Sequence, residues 1–259
     1  MTLRLRVATL NIHKGVSHLT RRLVVHELRE ALRELDADVV FLQEVQGANR
    51  RHSLRHAAAP KEPQHRFLAG DQWASAYGRN AVYGDGHHGN AILSRFPIVA
   101  AENEDVSAYR FERRGLLHCV VAVPGWTRDL HCVCVHLSLG ERGRRRQLGA
   151  LVARLEAVAA RDLPLVVAGD FNDWRGRAGA ILGARLGLAE ASAQARGRLA
   201  RTYPSFLPFL RLDRIYIRGF RVAGARVHRG APWSLLTDHL VVSADLEAVA
   251  GPVAAGPRR

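Results

Sequence analysis

Polar side chains that can bind a cation or move a proton stand at the ends of several apolar runs of this chain. Asp170 and Asn172 follow the run LVVAG, and His136 ends HCVCVH. Glu44 ends VVFLQE, whereas Asp213 stands just before RIYI. Burying such groups without partners costs several kcal/mol each, so we expect them to pair with one another or with a cation.

Two further positions extend this pattern. Asn11 ends the first apolar run, and Asp238 with His239 stands directly before LVVSADL. The ends of strands gather chemistry in α/β proteins, because the sheet fixes the backbone while the loops face solvent. Taken singly, each residue also fits a structural role, such as a solvated glutamate, a hydrogen-bonded histidine or an aspartate that caps a turn. Their joint occurrence favours a functional site.

Short runs rich in β-branched residues predict the strands that position these side chains, and apolar residues at helical spacing predict three helices. The predicted strands are Leu5–Leu10, Val39–Gln43, Ala91–Ser94, Leu116–Val123, Leu130–His136, Leu165–Ala168, Arg214–Ile217 and Leu240–Ala244. The predicted helices are Leu23–Leu35, Gln147–Ala160 and Ala178–Leu186. This order predicts an α/β protein with partly antiparallel sheets and outer helices. We expect one domain, residues 1–250, and a flexible tail, residues 251–259.

Composition limits the classes of function. The 259 residues have a formal net charge of +14, which favours a polyanion or a phosphate ester as ligand, although the excess is almost all arginine and also fits GC-biased coding. No apolar run reaches the roughly 20 residues that cross a bilayer, and the start resembles a strand more than a secretion signal. Cys119, Cys132 and Cys134 lack CxxC spacing. We therefore expect buried thiols and a cytoplasmic protein.

Seven motifs in order along the chain resemble those of the endonuclease/exonuclease/phosphatase superfamily, the DNase I-like proteins. They are TLN with Asn11, LQE with Glu44, GNAILSRFPI, VHL with His136, GDFND with Asp170 and Asn172, LDRIY with Asp213, and TDH with Asp238 and His239. The resemblance covers residues 5–246 and is strongest to a group of uncharacterised bacterial members. It implies a four-layer α/β/β/α sandwich of two packed mixed sheets, with the active site at one edge.

The resemblance also implies hydrolysis of a phosphate ester by in-line attack of water, with Mg²⁺ or Mn²⁺ as cofactor. Such an ion prefers oxygen ligands and keeps several waters, so one or two carboxylates suffice. Glu44 is expected to be the principal metal ligand. Asn11 and Asp238 are expected to complete the metal site directly or through water.

Catalytic roles are implied for the remaining motif residues. Asp170 and His239 are alternative general bases, between which the sequence does not decide, and Asp213 is expected to pair with His239. Asn172 and His239 are expected to hold phosphate oxygens, and His136 is expected to act as general acid or phosphate ligand. An extended backbone would place Asp170 and Asn172 on the same face, within reach of one phosphate.

Other polar residues are weaker candidates. Arg114, or Arg113 in the alternative register, is expected to bind phosphate, and Asn90 either lines the cleft or forms a turn. His87 and His88 are adjacent on a glycine-rich segment, which disfavours a shared metal. The arginine cluster at residues 142–146 either follows a nucleic-acid backbone or forms a solvated basic face.

Two substrate classes remain open. The positive charge favours nucleic acid, and so does His136, because the resemblance implies a histidine at this strand end in the DNase I-like branch of the superfamily. The segment PSFLPFL, residues 204–210, offers an apolar loop of the kind that would favour a phospholipid headgroup instead. A binding protein without activity would be expected to lose part of the set of motif residues, which is complete here. We expect a monomer.

Overall fold

The computed structural model describes residues 4–49 and 59–249, so the predicted tail at residues 251–259 lies outside the described residues. The first of two six-stranded sheets contains β1 (Arg4–Asn11), β2 (Val39–Asn49), β3 (Ala74–Tyr83), β4 (Gly86–Ser94), β11 (Phe220–Val227) and β12 (Val242–Ala248), in the order β11-β12-β1-β2-β4-β3. The second contains β5 (Ile98–Asp105), β6 (Gly115–Val121), β7 (Leu130–His136), β8 (Leu165–Asp170), β9 (Ala189–Glu190) and β10 (Asp213–Arg218), in the order β5-β6-β7-β8-β10-β9.

Six α-helices lie among the described residues and cover the outer faces of the sheets. They are α1 (Val25–Glu34), α2 (Gln64–Ala69), α3 (Glu141–Val158), α4 (Ala178–Leu186), α5 (Ala191–Arg196) and α6 (Trp233–Leu236). The apolar stripe of α1 packs on the first sheet, whereas the stripes of α3 and α4 pack on the second. A third cluster fills the space between the two sheets. The four-layer sandwich of mixed sheets is therefore confirmed, and no helix of the described residues is long and apolar enough to cross a membrane.

Each sheet contains one parallel pair of strands among its antiparallel neighbours. The pair β1–β2 lies in the first sheet, and β7–β8 lies in the second. Both faces of these central strands are covered, which explains why their sequences are almost continuously apolar. The carboxyl ends of parallel strands meet at one edge, so both pairs bring their terminal polar residues to the same end of the sandwich.

The alternation along four strands points their terminal polar side chains toward the space between the sheets. The core residues that share the between-sheet face with these side chains are Leu5 and Val7 for Asn11, Cys132 and Cys134 for His136, Val166 and Ala168 for Asp170, and Ile215 and Ile217 for Asp213. The four polar residues thus continue a buried apolar layer at its edge, and all four are buried. The expected burial of the three free cysteines is also confirmed.

Some predicted elements differ from the structure for identifiable reasons. The prediction missed β3, β5 and β11, which are edge or next-to-edge strands with many polar residues. The helix that we predicted to begin at Gln147 begins at Glu141. The arginine-rich segment before Gln147 therefore forms the first turns of the helix and not a loop, in line with the high helix propensity of arginine. Strand β2 runs past Glu44 to Asn49. The strand Leu130–His136 and the helix Ala178–Leu186 match their predictions.

Candidate active site

The carboxylate of Asp170 lies at the centre of the polar cluster. Its Oδ2 accepts a hydrogen bond from Asn11 Nδ2 at 3.3 Å, and it lies 3.5 Å from His136 Nε2 and 3.8 Å from His239 Nε2. Asp170 is only 2% exposed. One amide and two imidazoles, supplied by both sheets and by the segment before β12, therefore converge on one buried oxygen.

His239 is held in a buried carboxylate pair. Its Nδ1 lies 2.9 Å from Asp213 Oδ2, and both side chains are buried. Burial disfavours the charged ring, but the Asp213 carboxylate outweighs it and, with Asp170, raises the pKa of His239 to about 10. The imidazole is therefore protonated at neutral pH and presents an N–H toward Asp170.

Two neighbours of this pair have shifted pKa values with different causes. Burial, reinforced by the charge of Asp213, raises the pKa of Asp170 to about 6. Burial and the nearby Arg114 lower the pKa of His136 well below its ordinary value. At neutral pH the cluster thus combines a neutral His136, a cationic His239 and a carboxylate that can take up a proton near neutrality.

Asn172 reaches the site by a turn and not by the expected extended backbone. Strand β8 ends at Asp170, and Asn172 has a left-handed φ of 49°. Its backbone N–H donates to Asp170 Oδ1 at 2.9 Å, and its Nδ2 donates to the carbonyl of Leu137 at 2.9 Å. The aspartate side chain therefore forms an Asx-type turn, which replaces the pleat we expected and still places both side chains at the same edge.

The three predicted metal ligands lie next to this cluster. Asn11 Nδ2 also donates to Glu44 Oε1 at 3.3 Å, and Thr237 Oγ1 donates to the carbonyl of Asn11 at 2.7 Å. The following residue, Asp238, lies 3.0 Å from His13 Nδ1, while the backbone N–H of His13 donates to Asn11 Oδ1. Asn11, Glu44 and Asp238 thus form one network.

A β-bulge directs Glu44 into the network. Glu44 has a left-handed φ of 58°, and the pairing register between β2 and β4 shifts between Leu42 and Val45. Strict alternation would place Glu44 on the same face as Leu42, which packs on the helix side of the sheet. The bulge explains why Glu44 is a site residue although it lies within the strand and not at its end.

The oxygen atoms of this network fit a divalent metal ion. Glu44 and Asp238 supply carboxylates, Asn11 supplies an amide oxygen, and hard cations such as Mg²⁺ and Mn²⁺ prefer such ligands. The Glu44 side chain is 23% exposed, which leaves room for water. Lys14 Nζ lies 3.8 Å from Glu44, and His13 lies against Asp238. A lysine and a histidine therefore already lie against the two carboxylates, and the contact with Asp238 raises the pKa of His13.

A second donor set is less suited to a metal. Within the described part of the chain, Asp170, Asp213 and His239 each offer one ligand atom, and these atoms lie within 4.8 Å of one another. His239 would have to lose its proton to act as a ligand, and the pairing with Asp213 opposes that loss. The set consisting of Glu44, Asn11 and Asp238 therefore fits a metal better.

The structure distinguishes between the two candidate arginines. Arg114 is largely buried, donates to the carbonyl of Leu137 at 3.3 Å and contacts Glu112 at 3.2 Å. Arg113 instead lies 3.7 Å from Asp105 and is about half exposed. Because Leu137 also accepts the Asn172 hydrogen bond, Arg114 is the arginine that borders the site.

Two other predicted candidates have structural roles. Asn90 is buried, and its Nδ2 donates to the backbone carbonyls of Gly115 and Cys134, which joins the two sheets. Arg144, in the arginine cluster at residues 142–146, is buried and donates to the carbonyls of Ser138 and Leu139. Neither amide N–H of Asn90 is left for a phosphate.

Sequence reasoning missed three residues beside the site, His13, Lys14 and Tyr203, and considered a fourth, His88, only as a disfavoured metal ligand. Tyr203 lies with its ring centroid 4.9 Å from that of His239. His13 and Lys14 contact the predicted metal ligands, and His88 is close enough to Lys14 and Glu44 for both charges to affect its pKa. For His13 and Lys14, the only available signal in the sequence was their proximity to Asn11 in NIHKG. Nothing in the sequence near Tyr203 indicates the contact.

Comparisons with known proteins agree with this geometry. The model of the "Endonuclease/Exonuclease/phosphatase family" matches residues 8–239. "Uncharacterized protein YbhP" of Escherichia coli strain K12 is 44% identical over 242 residues, which cover 93% of this chain and 95% of that protein. A crystal structure of an endonuclease/exonuclease/phosphatase from Beutenbergia cavernae is 23% identical, has a TM-score of 0.75, and is similar over 97% of this chain and 73% of that chain. A crystal structure of the endonuclease/exonuclease/phosphatase from Bacteroides vulgatus is 17% identical and has a TM-score of 0.74; the similarity covers 95% of this chain and 100% of that chain.

The chain belongs to the endonuclease/exonuclease/phosphatase family. The family comprises hydrolases of phosphoester bonds, as its name states. The resemblance predicted from the seven motifs, including the similarity to an uncharacterised bacterial protein, is therefore confirmed.

Proposed function

We propose that this protein is a Mg²⁺- or Mn²⁺-dependent phosphodiester hydrolase that acts on nucleic acid. The observation that carries the proposal is the convergence of Asn11, His136 and His239 on one oxygen of the buried Asp170, next to an oxygen-rich network that suits a divalent metal. The formal net charge of +14 favours a polyanionic substrate. The cytoplasmic location and the monomeric state remain predictions.

Glu44, Asn11 and Asp238 would hold the metal ion. When bound there, the ion supplies Lewis acidity to a phosphoryl oxygen and to the leaving oxygen. The remaining side chains position the substrate and move the proton.

Asp170 is the proposed general base. His239 is the alternative, but its Nδ1 is bonded to Asp213 and its protonated Nε2 points toward Asp170, so the ring is placed to donate and not to accept. Asp170 therefore takes the proton of the attacking water, while cationic His239 stabilises negative charge on the phosphoryl group.

Asn172 and His136 complete the phosphate site in this proposal. An amide has two N–H donors, and the hydrogen bond to Leu137 uses one of those of Asn172, so one is left for a phosphate oxygen. His136 is neutral and can donate one N–H from the end of the neighbouring strand β7. Arg114 adds a fixed positive charge behind this pair.

Asp170→Asn tests the proposal, because it keeps the shape of the side chain and removes the base. We expect turnover of a diester to fall by about 10³-fold, within the usual range for loss of a general base. The measurement is hydrolysis of plasmid DNA, single-stranded DNA, RNA, sphingomyelin and cardiolipin, each with Mg²⁺, with Mn²⁺ and with EDTA. Asp71→Asn is the matched control, since that carboxylate lies on the surface and pairs with Arg33.

The enzyme assignment fails if none of these substrates is hydrolysed in a metal-dependent manner. If the Asp170→Asn and Asp71→Asn variants are equally active, the result contradicts only the proposed role of Asp170 and not the enzyme assignment.

One specific observation favours hydrolysis of a phospholipid as a second candidate function. Phe206, Leu207 and Phe209 are 66%, 67% and 59% exposed on the loop at residues 204–210. This loop is tied to the site, because Ser205 donates to the carbonyls of Thr237 and Asp238. Hydrolysis of a lipid in the substrate panel, without hydrolysis of any nucleic acid, would select this alternative.

A further inference from the structure

Six arginines line a pocket of about 310 Å³ next to the loop at residues 204–210. They are Arg196, Arg198, Arg201, Arg211, Arg226 and Arg229, which we call the arginine pocket. No carboxylate lines the pocket, and in the described parts of the chain none of these six guanidinium groups forms an ion pair or a side-chain hydrogen bond. Arginines elsewhere on the surface, such as Arg154 and Arg185, pair with glutamates.

Such an arrangement favours an anionic ligand. Arginine stays charged across the physiological pH range, so six unpaired guanidinium groups around one cavity repel one another when the cavity contains only water. A planar guanidinium can donate two parallel hydrogen bonds to a phosphate. An anion with several phosphates would therefore relieve this repulsion and satisfy the exposed donors.

The arginine pocket and the active site border the same loop, residues 204–210. Arg201 and Arg211 flank this loop, whose stem closes through the bridge between Tyr203 and Leu210. Tyr203 contacts His239, and Arg211 is two residues from Asp213, a chain distance of about 7 Å. A polymer with one phosphate in the active site can therefore place further phosphates in the pocket.

The loop that both sites border suits the bases of such a polymer. Phe206 and Phe209 are exposed on the loop, and aromatic rings beside a basic groove are the usual platform for single-stranded nucleic acid. The concave shape of the arginine pocket favours discrete phosphates over the flat surface of a membrane.

We propose that the arginine pocket binds backbone phosphates of a single nucleic-acid strand, at nucleotides beyond the one whose phosphate lies in the active site. The choice of polymer rests on the proposed function, whereas the presence of a polyanion site rests on the arginines alone. The pocket would determine the affinity for long substrates without taking part in the chemical step.

The test variant is Arg196→Gln, Arg198→Gln and Arg229→Gln combined, which leaves Arg201 and Arg211 beside the active site unchanged. The matched control is Arg128→Gln, Arg161→Gln and Arg185→Gln combined. It removes the same charge at the opposite end of the sheets, where β7 and β8 begin. All six substituted side chains are on the surface, and thermal melting checks that both variants are folded.

Binding is measured by fluorescence anisotropy with a 20-nucleotide single-stranded DNA in Mg²⁺, in an Asp170→Asn background that prevents cleavage. We expect the pocket variant to bind about tenfold more weakly than the control at 0.1 M salt. Loss of three phosphate contacts should reduce the slope of log affinity against log salt by about 2, since each contact in a single strand contributes about 0.7. Turnover of bis(p-nitrophenyl) phosphate, which is too short to reach the pocket, is measured with Asp170 intact and should match the control.

Equal salt slopes of the pocket variant and the control would overturn the proposal. An equal loss of turnover on the small diester would overturn it too, because the arginines would then act within the active site. Phosphatidylglycerol vesicles distinguish the source of the phosphates: loss of vesicle binding with unchanged DNA binding overturns the nucleic-acid assignment. If the protein hydrolyses no diester but the pocket variant still loses DNA affinity, the proposed function fails and the pocket stands.

Discussion

At the scale of single residues, the chemistry of Asp170 depends on groups that its own motif does not contain. Asn11 comes from the first sheet, His136 from the neighbouring strand of the second, and His239 from the segment before β12. The GDFND motif itself contributes the turn, through the hydrogen bond from the backbone N–H of Asn172. One carboxylate thus forms the turn and also carries the proposed catalytic role.

Tyr203 provides a test at the same scale, because its ring contacts His239 and no hydrogen bond of its hydroxyl appears among the described residues. We expect Tyr203→Phe to keep kcat within about twofold and Tyr203→Ala to lower it by about tenfold, since the imidazole loses a packing partner that fixes its orientation. Steady-state kinetics on a small diester measure both. A larger loss in Tyr203→Phe than in Tyr203→Ala would mean that the hydroxyl, and not the ring, is the contributing group.

At the scale of elements, Gly169 allows β7 and β8 to approach each other beside the site. It has φ +146°, and an added Cβ would lie 1.9 Å from the carbonyl oxygen of Val135. We expect Gly169→Ala to lower the free energy of unfolding by about 3 kcal/mol or more and to reduce activity by displacing Asp170. Urea denaturation and diester turnover measure these effects.

Gly149 is the matched control for this substitution. It lies on α3, and an added Cβ would meet no atom within 4 Å. Gly149→Ala should be neutral or should stabilise the protein by about 0.5–1 kcal/mol, because alanine loses less backbone entropy in a helix. Similar destabilisation in both variants would contradict the role of the close strand contact.

The buried pair of His118 and His131 gives β6 and β7 a predictable pH response. The two rings lie 2.9 Å apart between Nε2 and Nδ1, and burial, aided by the His131 charge, lowers the pKa of His118 to about 4. The folded state then binds fewer protons than the unfolded state between about pH 6.5 and 4. The contribution of His118 to the free energy of unfolding is therefore complete above pH 6.5 and is lost as the pH falls toward 4.

We expect the wild-type protein to lose about 2 kcal/mol more unfolding free energy than His118→Gln between pH 7.5 and 4.5, at roughly 1.4 kcal/mol per pKa unit. Urea denaturation at the two pH values measures the difference. His26→Gln, at an exposed histidine, is the matched control. A parallel loss of stability in wild type and in His118→Gln would show that other groups cause the acid sensitivity.

The elements with buried faces were the predictable ones. Strand Leu130–His136 matches because all seven of its residues are buried, so its sequence between His131 and His136 is uniformly apolar. Strand β5, with the sequence IVAAENED, is an exposed edge strand whose pairing with β6 holds it in place. Its own sequence therefore lacks the alternation that predicts a strand.

At the scale of the whole molecule, the core between the two sheets predicts that the protein unfolds as one cooperative unit. Residues of both sheets, such as Val7 and Ile215, belong to one buried cluster. Trp126 lies in this cluster, whereas Trp73 lies in the cluster that joins the first sheet to its helices. We expect urea unfolding followed by tryptophan fluorescence, in wild type and in Trp126→Phe, to coincide with unfolding followed by far-UV circular dichroism. Separate transitions would contradict the predicted single domain.

The sequence by itself determined which residues end the central strands and their order along the chain. That information sufficed to predict an α/β protein with outer helices and polar residues gathered at strand ends, because apolar patterning fixes which strands are buried. The four-layer sandwich and the membership of Asn11, Glu44, His136, Asp170 and Asp213 in one site followed from the resemblance that the seven motifs carry. Only the tertiary structure decided how these residues face one another. The left-handed turns at Glu44 and Asn172, the contact of Tyr203 with His239, and the gathering of six arginines in one pocket depend on strand register and loop packing. Strand register and loop packing are set by contacts between residues far apart in the chain, and local sequence patterns do not encode such contacts.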